Sequence, residues 1–130
     1  MDVLGLAAGE APVADARGLS LSPAAAAAAL RGAGWLAPRV DCAGVTGKEG
    51  LFAAFAAALG REYFASNWDA FDDALASLPY DEKGAAGYAF LMENYSALPA
   101  ELAGMFESSV EDAAAQVLSG HGLPLKALLF

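Results

Sequence analysis

Two short runs, Gly87–Met92 (GYAFLM) and Leu125–Phe130 (LKALLF), are apolar almost without interruption. A strand with one wet face alternates apolar and polar residues. A strand covered on both faces does not. These runs therefore call for helices above and below a sheet, and the chain between them has to supply those helices. Leu36–Ala43 reads as a further strand, with Val40 and Cys42 sharing a face. Strands separated by helices give a small α/β fold: a mainly parallel sheet of three or four strands flanked by helices, with right-handed crossovers.

Helix signals fill the gaps. Ser22-Pro23 is an N-cap followed by a proline at the first helical position, and an alanine run follows until Gly32 and Gly34. Thr46 and Glu49 have capping-box spacing ahead of Leu51, Phe52, Phe55 and Leu59, and Gly60 stops that helix. A second helix is predicted from Trp68 to Leu78, closed by Pro79. A short helix is predicted around Pro99–Met105, and a separate one from Ser108 or Ser109 to Gly120 or Gly122. Val3–Ala7 and Leu19–Leu21 read as short strands. The 130 residues, 57% hydrophobic and 18% charged, suit one domain with a core of useful size.

One cysteine, Cys42, excludes an internal disulfide framework and suits a reducing compartment. No apolar stretch is long enough to span a bilayer, and Met-Asp opens the chain without a basic region before an apolar run. The cytoplasm is the expected location. The net charge is −9, and it is unevenly placed: Glu62 to Asp112 carries eleven acids and one base, Lys83, whereas the rest carries five acids and six bases. Such a field repels nucleic acid and anionic membranes and attracts a cationic partner.

Catalytic signals are weak. Gly44-Val-Thr-Gly-Lys48 lacks phosphate-loop spacing, and Glu49 stands where a hydroxyl is needed. The only histidine, His121, lies in a glycine-rich turn and reads as a helix C-terminal residue meeting the dipole. Cys42 reads as a small buried hydrophobe. No metal ligand set, cofactor motif or nucleophile triad is present. Asp69 and Asp73 are spaced to act as an acid–base pair, but nothing supplies the apolar pocket that would separate their titrations.

The informative stretch is Arg61-Glu-Tyr-Phe-Ala-Ser-Asn-Trp-Asp-Ala-Phe-Asp-Asp-Ala-Leu75. Ser66 or Asn67 supplies the N-cap, and Asp69 lies in the first turn, where the dipole favours a carboxylate. At about 100° per residue, Trp68, Phe71, Leu75 and Leu78 form a core stripe, and Asp69, Asp72 and Asp73 gather opposite it. Like charges three and four apart repel, and a merely solvated face usually mixes in lysines. From Glu62 to Glu82 there are six acids and no base. The spacing of these carboxylates suits a groove built to hold phosphates.

Tyr63 to Leu75 resembles the signature of the barstar family, the intracellular inhibitors of barnase-type ribonucleases. That signature is an aromatic-rich loop followed by Asn-x-Asp-Ala opening an acidic helix. The resemblance extends more loosely over Leu36–Phe130, with the strands and helices in the family's order. It implies a barstar-like domain over residues 36–130. Residues 1–35 would be an N-terminal extension, a short strand and an Ala-rich helix, packed on it.

On that resemblance Asp73 corresponds to the aspartate that enters the nuclease's phosphate pocket. Asp69 is a second carboxylate facing its basic residues, Tyr63 covers the cleft, and Asn67 opens the helix. Three positions depart from the family pattern: Ala65 replaces a glycine, Ser66 replaces an acid, and Asp72 replaces an aromatic contact. The implied protein is a monomeric, cofactor-free inhibitor of a basic ribonuclease, binding through Tyr63, Ala65, Ser66, Asn67, Asp69, Asp72 and Asp73. Other readings of the same residues are an immunity protein against a different cationic toxin (a DNase or rRNase), a fold-only interaction module, and a carboxylate-dependent hydrolase using Asp69 and Asp73.

Overall fold

The computed structural model describes residues 2–130. Four strands, β1 (Val13–Asp15), β2 (Arg39–Asp41), β3 (Tyr88–Glu93) and β4 (Leu125–Leu129), form one sheet in the order β1-β4-β3-β2. Every pairing is parallel, with Val13 opposite Ala127, Val40 opposite Met92 and Tyr88 opposite Leu125. The two uninterrupted apolar runs are the two central strands, and both of their faces are covered. Tyr88, Phe90, Met92, Leu125 and Ala127 pack in one core cluster with α3 (Lys48–Ala58), α4 (Trp68–Ala76) and α6 (Ala100–His121). Ala89, Leu91 and Leu128 face the other way, against Val3 and Ala7 of α1 (Val3–Ala8) and Ala26, Ala27 and Leu30 of α2 (Pro23–Gly32).

Lys126 sits inside this sheet at 5% exposure. Its Nζ donates to the carbonyls of Gly9 and Ala11, so the ammonium is satisfied and the N-terminal segment is tied to β4. Burial holds its pKa below the ordinary lysine value, partly opposed by Glu10. Gly87, just before β3, is required by close approach: a Cβ there would lie 2.7 Å from the Trp35 ring and 2.9 Å from Pro124.

The N-terminus departs from the expected strands. Val3–Ala8 is a helix, because Asp2 caps it (Gly5 N–H to Asp2 Oδ1, 2.8 Å) and Val3 and Ala7 bury one stripe four residues apart. Leu19–Leu21 lies in a turn, and the edge strand is Val13–Asp15. β2 is shorter than Leu36–Ala43. Leu36 pairs with Tyr88 as an isolated bridge, and Pro38 has no N–H to continue the ladder.

Thr46 does not cap α3. Gly47 is the cap residue, and it makes no side-chain bond. α4 ends at Ala76, and Pro79 occupies the first turn of a four-residue helix, α5 (Leu78–Asp81). The two helices expected around Pro99 and Ser108 are one, α6. Ser108 and Ser109 lie mid-helix, and Ser109 is buried against α4. No described helix is long and apolar enough to cross a membrane.

Candidate functional site

α4 is held by rings. Phe71 lies at the centre, stacked on Phe52 (5.0 Å) and edge-on to Phe55 (4.9 Å), Phe64 (5.5 Å) and Trp68 (5.6 Å). Offset and edge-to-face pairs of this kind fix geometry as well as burying area. Asn67 Oδ1 accepts from the Ala70 N–H at 2.8 Å, so the asparagine, not Ser66, caps the helix. Ser66 is exposed beside it. The preceding loop is clamped at its start, where Arg61 lies 3.2 Å from Glu82 and 3.8 Å from Asp81, with its guanidinium 5.8 Å from the Phe64 ring centroid.

On this rigid frame Asp69 and Asp73 are exposed, one turn apart. Tyr63 stands in the loop at 63% exposure. Between them in the loop, the Ala65 side chain is buried in the same core cluster as Phe64.

Asp72 behaves differently from its neighbours. It is half-buried and points toward α6, where the Ser109 hydroxyl donates to its Oδ1. Burial, then the carboxylates of Asp112, Asp69 and Asp73, push its pKa above the ordinary value. The Ser109 bond was not legible in the sequence, since it joins residues 37 apart. Of the two serines expected to open a helix, Ser109 instead makes this cross-helix contact. Asp72 also lines an open groove of about 430 Å³ between α4 and α6, with Trp68, Gly104, Met105 and Asp112. Asp69 and Asp73 are not among its lining residues.

The acids of α6 fall into separate environments. Glu107 accepts from the Tyr95 hydroxyl at 2.6 Å, and that phenol is pushed up by burial and by the carboxylate. Glu111 lines a different depression with Glu10 and Leu118. Asp112 alone of the three joins Asp72. Val117 is fully buried. His121 ends α6 and packs edge-on against Tyr80 (5.0 Å), itself exposed. Cys42 is a buried thiol, pushed up to about 11 by burial. Among the described residues, no group of three or more His, Cys, Asp or Glu side chains could hold a metal ion.

The arrangement presents negative charge on the exposed face of a well-anchored helix, with an exposed tyrosine in the loop before it. Comparison with known proteins gives one family match: Barstar (barnase inhibitor), over residues 35–129. No curated protein and no solved structure matches the chain.

Proposed function

The chain belongs to the barstar family, and from that membership we propose that it inhibits a basic ribonuclease, as an antitoxin or immunity protein, by laying α4 across the enzyme's active site. The observation that carries this reading is the exposed Asp69–Asp73 pair on a helix fixed by Asn67 and the Phe71 rings. No base of the chain is ion-paired to either carboxylate among the described residues. Two carboxylates one turn apart take the place of substrate phosphates, and Tyr63 covers the edge of the cleft. Inhibition then needs no chemistry from this chain. The acidic field speeds encounter, and charge-assisted hydrogen bonds slow release.

The test is a titration of a panel of barnase-like and more distant basic ribonucleases with wild type and Asp73→Ala. Stoichiometric inhibition by wild type is expected. Asp73→Ala should weaken it by about 2–5 kcal/mol, a range that includes charge pairs of the barnase–barstar complex itself, while leaving the melting temperature nearly unchanged. Equal inhibition by the two proteins would contradict the role of Asp73.

A second reading, a different cationic toxin as partner, is favoured by Asp72. Where the family pattern places an aromatic contact, this chain has a carboxylate bound to Ser109. Inhibition of a basic DNase, with silence across the ribonuclease panel, would select it.

A further inference from the structure

Among the described residues Lys126 is the one charged side chain that the structure buries, and the inhibitor reading gives it no part. It stands in an apolar strand, and both of its hydrogen-bond partners, the carbonyls of Gly9 and Ala11, are neutral. No carboxylate is ion-paired to it among the described residues. An ammonium taken out of water keeps a strong demand for an opposite charge.

A cavity of about 540 Å³ opens beside it, between the segment joining α1 to β1, the C-terminal half of α6 and the start of β4. Gly9, whose carbonyl holds the ammonium, forms part of the wall, as does Lys126 itself, so the buried cation stands at the wall. Ala114, Ala115, Leu118 and Pro124 make an apolar part of the lining, where Leu118 is 60% exposed. Glu10 and Glu111 are its two acids, both exposed and neither ion-paired among the described residues.

We propose that this cavity binds a small zwitterion with an apolar body, the chemical class of leucine, methionine and phenylalanine. Its carboxylate meets Lys126, its ammonium meets Glu10 and Glu111, and its side chain covers Leu118 and the alanines of α6. The volume lies within the range of small-molecule sites.

Complementarity selects the class. A plain carboxylate suits Lys126 and is repelled by the two glutamates, and a plain amine has the reverse defect. An apolar molecule leaves all three charges unserved. An α-amino acid carries both charges on adjacent groups, and the seat does the same: Glu10 acts on the Lys126 ammonium, opposing the effect of burial, without pairing to it. Glu10, Gly9 and Pro12 precede residues 35–129, so the cavity exists only because the N-terminal segment closes it. Neither Asp69 nor Asp73 lines it, and the proposal does not rest on the inhibitor reading.

The full chain is titrated calorimetrically with L-leucine, L-methionine and L-phenylalanine. The tightest of the three is then compared with its deaminated acid and its decarboxylated amine. The same amino acid is titrated into Glu10→Gln and Ala115→Phe, two exposed positions of the lining, with thermal melts as folding controls. Lys126→Met would also release residues 9–11 from β4, so the analogues, which leave the protein intact, test the carboxylate contact.

Each analogue, and the plug in Ala115→Phe, should weaken binding about tenfold or more. Glu10→Gln should lose less, because Glu111 remains. No heat with any of the three amino acids at millimolar concentration would overturn the proposal. So would an analogue that binds as well as its parent, or affinity unchanged in either variant. None of these results bears on the Asp73→Ala titration, so the two readings fail separately.

Discussion

The two faces of the sheet are packed by opposite means. On one, Phe52, Phe55, Phe64, Phe71, Phe90 and Phe106 interlock around the helix that carries the acids. On the other, α1 and α2 cover the sheet with small residues, Ala7, Ala26 and Ala27 meeting Ala89, and Leu30, Leu91 and Leu128 are the larger members. Large rings fix the position of a helix, because few arrangements interdigitate them without voids. Small side chains allow close approach and specify position less sharply. The acidic face therefore stands on the better-determined side, which suits a surface whose carboxylates must meet a partner already in place.

Substitutions on the two sides should separate these roles. Phe71→Ala, at the centre of the rings, should cost about 3–5 kcal/mol of stability. It should also weaken inhibition in whatever protein remains folded, since α4 loses its support; denaturant melts alongside an inhibition titration read both. Leu30→Ala on the other face should cost about 2–5 kcal/mol, at the low end if the alanines close around the gap, and should leave the inhibition constant unchanged. If both variants lost inhibition in proportion to stability, the contrast between the faces would be lost.

The smallest effect belongs to the acidic surface itself. Asp72 has a raised pKa in the folded chain, so its ionised form costs stability at neutral pH, and that cost fades as pH falls through its folded titration. Asp72→Asn keeps the oxygen that accepts from Ser109. It should therefore gain about 0.2–0.5 kcal/mol per neighbouring like charge at neutral pH, with the gain shrinking in acid. A gain independent of pH would point to a cause other than charge.

The sequence made the central strands legible because Gly87–Met92 and Leu125–Phe130 are apolar in both registers of the pleat. It made α4 legible because Asn67, Phe71 and Leu75 carry cap and stripe together. At the N-terminus Val3 and Ala7 were read as strand residues, because six residues are too few for the helical period to stand out; the Asp2 cap was the signal that distinguished them. Ser108 and Ser109 have the local spelling of a cap, and only the distant Asp72 explains why the helix runs through them. Within the candidate site, the exposed placement of Asp69 and Asp73 one turn apart was legible from their spacing. The burial of Ala65 and the groove at Gly104 depend on the packing of separate elements, which spacing along one helix does not encode.

The claim that α4 occupies an active site is tested most directly by competition. Inhibition of the target ribonuclease would be measured at rising concentrations of an oligoribonucleotide substrate. If α4 takes the place of substrate phosphates, the apparent inhibition constant rises in proportion to substrate concentration. An inhibition constant unchanged across that range would mean that protein and substrate bind together, and would contradict the account.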